Sequence, residues 1–267
     1  MVGLDFSVRA LGNIDVRIEK WIEANEGRVD PHQMFKEWVE MHSTQNYWRE
    51  EQASIIVRVL ESIDVENPVI VDLGCGAGSF SEHLLRSLKN AKLIGIDFNP
   101  FLLMIYRNHL AQYQERFTLL LGDMRKKATL KEAGDFHAAV SLSSLHYLSR
   151  QSMMNLYRNS YELLPKGGLF VNGDVCSLSD DWFEGLHLSE KSKRPIIRMA
   201  DFWQTVKDRY GIADEIDEMN AVAAISETPE HGYPPSFYLN SLRWAGFKQA
   251  EVVFQAGNRI VYCGRKT

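Results

Sequence analysis

The stretch VIVDLGCGAGSF, residues 69–80, decides the fold of this chain. Its first five residues, VIVDL, are apolar apart from one aspartate and are typical of a buried strand. Three glycines then follow at alternate positions, Gly74, Gly76 and Gly78. Glycine adopts backbone conformations with positive φ and lets a ligand lie against bare backbone. The stretch therefore predicts a strand, a glycine-rich turn that approaches a ligand, and then a helix.

Strands and helices continue to alternate after this stretch. Apolar strand candidates lie at 69–73, 92–97, 117–123, 137–142 and 168–174, and helical stretches lie at 78–89, 100–112, 125–133 and 150–164. Strands that are apolar throughout and separated by helices indicate a parallel sheet covered on both faces. Two further runs, AEVVFQA and RIVYCGR, are joined by the turn GN and predict a C-terminal β-hairpin. The expected fold class is α/β, a Rossmann-like doubly wound sheet of seven strands, mostly parallel with an antiparallel C-terminal hairpin.

The chain is expected to divide into four segments. Residues 1–63 carry three amphipathic helices and are interpreted as an N-terminal helical lid, with Asp30 as the N-cap of the second helix. Residues 64–175 form the cofactor-binding core. Residues 176–235 interrupt the alternation and are interpreted as a helical substrate-binding insertion. Residues 236–267 supply the last helix and the hairpin that completes the core.

Composition restricts the classes of function. A chain of 267 residues with 45% hydrophobic and 24% charged residues is typical of a soluble globular protein. Its net charge of −5 argues against broad nucleic-acid binding. No apolar run is long enough to cross a membrane, and the N-terminus lacks the apolar core of a signal peptide. Cys75, Cys176 and Cys263 are too far apart for a disulfide framework or a CxxC metal site, which favours the cytoplasm and predicts no metal.

The residues around the glycines distinguish between possible ligands. A dinucleotide fingerprint reads G-x-G-x-x-G, whereas this chain has G-x-G-x-G, with Ser79 in the last glycine position. Asp97 closes the second strand, where a carboxylate can accept hydrogen bonds from both hydroxyls of a ribose. Asp123 and Met124 close the third strand, and this pair suits the amino group and the face of an adenine ring. The pattern predicts an adenosyl ligand.

Taken together, the motifs VDLGCGAG, GIDFNP, LLLGDMR, AVSLSSLHYL and LLPKGGLFV resemble those of class I S-adenosylmethionine-dependent methyltransferases. The resemblance covers about residues 45–175 and 234–266. It implies S-adenosyl-L-methionine as the cofactor, with its methionine end against the glycines and no pyrophosphate. The cofactor-binding residues that it implies are Tyr47, Asp72, Gly74, Cys75, Gly76, Gly78, Asp97, Phe98, Asp123, Met124, Leu142 and Ser143.

Two histidines are candidates for catalysis. Methyl transfer from a sulfonium is an in-line displacement, in which the protein aligns the acceptor and, for some acceptors, removes a proton. His146 follows the fourth strand on the acceptor side and is the first candidate, with a helix cap or packing residue as its structural alternative. His231 in the insertion is the second candidate. A dedicated base is not obligatory, because positioning alone can supply much of the acceleration.

Aromatic residues are candidates for the walls of the site. Tyr47 and Trp48, on the third predicted helix, resemble a pair that folds over the cofactor, although they also suit a role as core anchors. In the insertion, the residues that either line an acceptor pocket or form a small core are Trp182, Phe183, Phe202, Trp203, His231 and Tyr233.

Three functions remain open at the level of sequence. The first is methyl transfer to a small-molecule acceptor, in which oxygen, nitrogen and carbon acceptors are not distinguished. The second is a carboxy-S-adenosylmethionine synthase-like enzyme of tRNA wobble modification, which LRWAGFKQAEVVFQAGN resembles and which would need a cation such as Arg198 or Arg209 near the sulfonium. The third is a non-catalytic cofactor-binding subunit. Neither nucleic acid nor a membrane is expected as a partner, and a homodimer is left open.

Overall fold

A computed structural model of the chain describes residues 27–178, 197–211 and 232–267, together with positions 23 and 213. Several predictions fall outside these residues. They include most of the first N-terminal helix, most of the helical insertion predicted over 176–235, and the side chains of Trp182, Phe183 and His231.

The described residues form a seven-stranded sheet, which confirms the predicted fold class. Its strands are β1 (Val69–Leu73), β2 (Lys92–Asp97), β3 (Phe117–Leu121), β4 (Ala138–Leu142), β5 (Leu169–Val175), β6 (Gln249–Ala256) and β7 (Arg259–Arg265). The strand order is β3-β2-β1-β4-β5-β7-β6. The first five strands are parallel, and β7 lies antiparallel between β5 and β6. Because the chain leaves β1 toward β2 on one side and returns to β4 on the other, the carboxyl ends of β1 and β4 flank a switch point where ligands bind in such sheets.

Helices cover both faces of the sheet. They are α1 (Pro31–Gln45), α2 (Arg49–Leu60), α3 (Ser79–Ser87), α4 (Pro100–His109), α5 (Lys127–Glu132), α6 (Arg150–Leu163), α7 (Met199–Tyr210) and α8 (Pro235–Ala245). Asp30 caps α1 as predicted, and its carboxylate accepts hydrogen bonds from the backbone N–H groups of His32 and Gln33 at 3.0 Å each. The helix predicted over 100–112 ends at His109, and a 3₁₀ turn over Ala111–Arg116 follows.

The helix α2 packs on the sheet, which corrects the interpretation of residues 1–63 as a lid throughout. Ile56 and Leu60 are buried in the same apolar cluster as the strands β1, β2 and β4. The side-chain amide of Gln52 donates hydrogen bonds to the backbone carbonyls of Asp174 at 3.1 Å and Ile260 at 2.9 Å. The apolar stripe of α2 finds its partner on the sheet, so the lid hypothesis now applies to α1.

The helix α1 packs against α4 and against α7, the described helix of the insertion. The ring centroid of Trp38 lies 5.4 Å from that of Phe202 and 6.2 Å from that of Trp203. The ring centroids of Phe101 and Trp203 are 5.7 Å apart. Gln45 also donates a hydrogen bond to the backbone carbonyl of Ile197 at 2.7 Å. The N-terminal helix and the insertion therefore share one aromatic layer.

Replacement of Gln52 by leucine should destabilise the fold. The change leaves two buried backbone carbonyls without their side-chain donor, and such a loss costs roughly 1–3 kcal/mol of unfolding free energy. Urea unfolding followed by circular dichroism measures the difference. Gln151→Leu is the control, because Gln151 lies on the exposed side of α6 with its amide donating to Asn155, and the variant should stay within about 0.5 kcal/mol of wild type. Equal stability of the two variants would show that Gln52 does not tie α2 to the sheet.

Candidate active site

The glycine loop after β1 is tied to the end of β2. The backbone N–H groups of Gly74 and Cys75 both donate to the carbonyl of Ile96, at 2.8 and 3.1 Å. The three glycines of the loop have positive φ values of 71°, 55° and 88°. A Cβ at Gly74 would lie 1.9 Å from the hydroxyl oxygen of Ser144, so the close approach of the two loops requires glycine there.

The carboxylate of Asp97 joins the end of β2 to the same loop. One of its oxygens accepts a hydrogen bond from the backbone N–H of Gly76 and the other from that of Asn99, both at 2.9 Å. Burial raises the pKa of Asp97 to about 6. Phe98, the next residue, is exposed at the rim. The structure therefore links Asp97 to the glycine loop through Gly76, and its predicted contact with a ribose stays a prediction.

Asp72, near the end of β1, is buried and interacts electrostatically with the half-buried Arg49. The Asp72 carboxylate accepts a hydrogen bond from Ser81 at 2.6 Å, and burial raises its pKa to about 7. One nitrogen of the Arg49 guanidinium, Nη2, donates to the hydroxyl of Ser79 at 3.2 Å, while Nη1 is buried without a hydrogen-bond partner among the described residues. Sequence reasoning missed Arg49, because it occupies a polar position of an amphipathic helix and nothing local distinguishes it from a solvated arginine.

Asp123 lies at the end of β3, where the sequence predicted it, and pairs with Arg125. The guanidinium donates to both carboxylate oxygens, at 2.9 Å from Nε to Oδ1 and 2.9 Å from Nη2 to Oδ2. Partial burial opposes ionisation, but the hydrogen bonds from Arg125 dominate and lower the pKa of Asp123. Met124 reaches the glycine loop, and its methyl carbon lies 3.8 Å from the position that a Cβ at Gly74 would occupy.

The end of β4 carries a strained residue. Ser143 has a φ of 59° and is the one non-glycine residue with positive φ in the described part of the chain. Its backbone N–H donates to the carbonyl of Gly173 at 2.8 Å, and Leu142 before it is buried. Such conformations persist only where the surroundings impose them, and they cluster at functional sites.

His146 forms a pair with Asp174 at the end of β5. The Nδ1 atom of the imidazole lies 2.6 Å from one carboxylate oxygen, and the backbone N–H of His146 donates to the other at 3.1 Å. Burial opposes ionisation of Asp174, but the charge and hydrogen bond of His146 outweigh it and lower the pKa of Asp174. A carboxylate only accepts hydrogen bonds, so Nδ1 carries the proton and Nε2 is the nitrogen that can take one up.

Asp174 was missed by the sequence analysis, although the rule that identified Asp97 and Asp123 would have found it. It too is an acidic residue at the carboxyl end of a predicted strand. Its role depends on the pairing of β4 with β5, which brings the two strand ends side by side.

Two aromatic residues lie against the glycine loop, Tyr106 at Gly78 and Trp38 at Gly76. A Cβ at Gly76 would lie 3.3 Å from the Trp38 ring. Tyr47 and Trp48 instead lie in the turn between α1 and α2, and Tyr47 is 44% exposed. The prediction that these two residues sit on a helix was wrong, because α1 ends at Gln45 and α2 begins at Arg49. A cofactor contact of Tyr47 stays a prediction.

The structure also shows the surroundings of three further residues that the sequence analysis singled out, Cys75, Tyr233 and Arg209. Burial raises the pKa of the Cys75 thiol well above its ordinary value, which argues against a role as a nucleophile. The Tyr233 hydroxyl donates to the carbonyl of Leu148 in the core. Arg209 pairs with Glu37 on the surface at 2.6 Å.

Within the described ranges, no cluster of three His, Cys, Asp or Glu side chains is placed to hold a metal ion. Every helix described there is too short or too polar to span a bilayer.

Comparison with known sequences identifies the central part of the chain. Residues 70–168 match the profile of a family described as a methyltransferase domain. The ribosomal RNA small subunit methyltransferase H of Helicobacter pylori (strain G27) is 34% identical over 87 residues, which are 32% of this chain and 28% of that protein. The chain therefore spans less than a third of this curated relative.

Solved structures with the same fold include two methyltransferases. The CurJ carbon methyltransferase superposes with a TM-score of 0.57 at 12% identity, covering 94% of this chain and 70% of that one. Human N-acetylserotonin methyltransferase in complex with SAM superposes with a TM-score of 0.52 at 17% identity, covering 85% of this chain and 54% of that one. These similarities establish the fold of the chain.

The buried carboxyl of Asp72 should make stability depend on pH. A pKa raised by folding favours the native state below the unfolded pKa of about 3.8, and this contribution is lost as the pH rises toward 7. Asp72→Asn removes the titration, so the stability of the variant relative to wild type should improve by about 2 kcal/mol between pH 5 and pH 7.5. Urea unfolding at the two pH values measures this change.

The exposed Asp135→Asn variant removes the same charge and is the matched control. A difference between Asp72→Asn and wild type that stays constant over this pH range would show that Asp72 is ionised throughout.

Proposed function

We propose that this chain, of which residues 70–168 match a methyltransferase domain, is a class I S-adenosylmethionine-dependent enzyme that transfers a methyl group to a small-molecule acceptor by in-line displacement. The observation that carries the proposal is the convergence of the glycine loop, Asp97 and the His146–Asp174 pair at one edge of the sheet. That edge supplies bare backbone for a ligand, a carboxylate for its ribose and a proton acceptor.

The residues present fit S-adenosyl-L-methionine. Asp97 would accept the ribose hydroxyls, and Phe98 and Met124 would flank the adenine, with Asp123 toward its amino group. The buried Nη1 of Arg49 lacks a partner among the described residues and would bind the carboxylate of the methionine end. The glycine loop leaves room that a Cβ would fill. When bound, the cofactor supplies an electrophilic methyl group.

The protein contributes proton transfer and the exclusion of water. His146 would take a proton from the acceptor at Nε2, while Asp174 holds the proton on Nδ1 and stabilises the imidazolium that forms. Trp38 lies against the glycine loop and joins the aromatic layer of α1 and α7, which would keep water from the site.

Several observations support a compact organic acceptor. The net charge of −5 disfavours a polyanion, and the aromatic layer with Phe202 and Trp203 offers an apolar wall. The ribosomal RNA methyltransferases match only 32% of this chain or less, so they do not identify the acceptor. The three cysteines are all free, which supports a reducing compartment such as the cytoplasm.

Native mass spectrometry of the purified protein, followed by an acceptor screen that measures S-adenosylhomocysteine release, tests the proposal. Bound S-adenosylmethionine and turnover with a small acceptor are expected. A bound adenosyl cofactor heavier by one carboxylate would instead favour the carboxy-S-adenosylmethionine reaction. Turnover with RNA alone would overturn the small-molecule acceptor, and binding without turnover on any acceptor class would favour a non-catalytic subunit.

Asp97→Ala should weaken cofactor binding. The loss of charge-assisted hydrogen bonds worth about 1.5–3 kcal/mol reduces affinity roughly 10- to 150-fold. Calorimetry with S-adenosylhomocysteine measures the affinity, and circular dichroism checks that the variant folds. Asp64→Ala is the control, because Asp64 is exposed before β1. Undiminished affinity in folded Asp97→Ala would exclude the ribose contact.

His146→Asn should reduce turnover on the true acceptor and leave cofactor affinity unchanged. Asparagine retains a hydrogen-bonding group but cannot act as a base near neutral pH, so a fall of about 10²- to 10⁴-fold is expected if proton removal limits the rate. His83→Asn, on the outer part of α3, is the matched control. Wild-type turnover and pH dependence in His146→Asn would assign the histidine a structural role, and His231 would be tested next.

A further inference from the structure

One face of β5 is polar in the interior of the protein. Side chains of a strand alternate between its two faces, so Asn172 and Asp174 lie on the same face as Phe170. The two polar residues have relative exposures of 0% and 1%, respectively. A strand in the middle of a mostly parallel sheet is usually apolar on both faces, so these two side chains need a specific reason.

The two side chains belong to a hydrogen-bonded chain that leads to His146. The amide nitrogen of Asn172 lies 3.3 Å from the Asp174 carboxylate and donates a shorter hydrogen bond, of 2.8 Å, to the hydroxyl of Tyr262. Tyr262 stands opposite Asn172 in the β5–β7 register, and its hydroxyl lies 2.5 Å from that of Tyr157 on α6. Asn172, Tyr262 and Tyr157 are all fully buried.

The side-chain amide of Asn172 is oriented with its nitrogen, rather than its oxygen, toward the Asp174 carboxylate. A carboxylate accepts hydrogen bonds and cannot donate, so the amide must direct its nitrogen toward Asp174 and Tyr262. The amide oxygen is left buried with no hydrogen-bond partner among the described residues. A buried acceptor without a partner costs stability. The protein therefore tolerates a local cost at a position where the donor faces the carboxylate that binds His146.

We propose that Asn172, anchored by Tyr262 and Tyr157, is a positioning residue that acts through Asp174 to set how tightly His146 holds its proton. The inference rests on the proposed function in one respect, since it assigns His146 the role of the base. The hydrogen bonds themselves are independent of that role. By donating to the Asp174 carboxylate, Asn172 takes up part of its negative charge, so less of that charge acts on the imidazolium.

Other charged and titratable groups surround the pair. Arg49 from α2 and Arg259 from β7 interact electrostatically with Asp174, and Arg259 also donates to the carbonyl of Gln45 at 2.7 Å. His42 from α1 is close enough to His146 to interact with it, but burial lowers the pKa of His42 to about 3 and keeps it neutral. Cys176, which directly follows β5, also interacts electrostatically with Asp174. None of these groups lies between Asn172 and Asp174.

Substitution of Asp174 and substitution of Asn172 should shift the titration of His146 in opposite directions. Asp174→Asn removes the negative charge next to the imidazole and should move the NMR titration of His146 toward lower pH. Asn172→Leu keeps the carboxylate but removes a donor from it, so more of its charge acts on the imidazolium and the titration should move the other way, toward higher pH. A purely structural role of Asn172 would not produce this upward shift.

The test is an NMR titration of His146 in the ligand-free full chain, with nitrogen-15 labelled histidine and assignment by His146→Asn. The control is Tyr161→Phe, because Tyr161 packs on Phe247 and lies beside Lys266, away from the Asn172 network. That variant also removes a tyrosine hydroxyl but should leave the titration unchanged. An Asn172→Leu variant that titrates like wild type, or in the same direction as Asp174→Asn, would overturn the proposal.

Tyr262→Phe provides a second route if Asn172→Leu does not fold. It removes the shorter bond that anchors the amide and should shift the titration in the same upward direction, and no shift would again overturn the proposal. Neither cofactor nor acceptor is present in the titration. The predicted shifts without any methyl transfer would therefore refute the proposed function alone, whereas methyl transfer without the shifts would refute the network.

Discussion

The hydrogen bonds between the glycine loop and the end of β2 are the constraint on which the rest of the site depends. The carbonyl of Ile96 holds Gly74 and Cys75, and the carboxylate of Asp97 holds Gly76. This attachment brings the loop over the carboxyl ends of the strands. Ser144 from the next strand end then lies so close to Gly74 that no side chain fits between them. A shift of the loop would therefore disturb three strand ends at once.

The acidic residues at the strand ends fall into two groups, according to the direction in which their surroundings shift their pKa values. Burial raises the pKa values of Asp72 and Asp97, to about 7 and about 6. Asp123 and Asp174 each have a basic side chain in contact, and these partners lower their pKa values. The first pair lies beside the glycine loop, where a cationic ligand would relieve the cost of ionising them. The charges of Asp123 and Asp174 are already balanced by Arg125 and His146, whose side chains they hold in place.

The aromatic layer explains how segments distant in sequence close the same site. Trp38 of α1 contacts the glycine loop and packs against Phe202 and Trp203 of α7. Motion of α1 would carry α7 with it, since Gln45 also binds the backbone of Ile197. The helix α2 does not take part in this layer, because Gln52 fastens it to the ends of β5 and β7.

The sequence by itself determined the strands, the glycine loop, the N-cap at Asp30 and the positions of Asp97, Asp123 and His146 at or just after strand ends. These features depend on side-chain periodicity, turn chemistry and position at strand ends, all of which are local properties. Only the tertiary structure decided that Trp38 lies against the loop, that Arg49 interacts with the buried Asp72, and that α2 belongs to the sheet. The pairing of His146 with Asp174, and of Asn172 with Tyr262, was decided at the same level. Each depends on which helices and strands are neighbours in space, and in this sheet the neighbours of β5 are the distant strands β4 and β7.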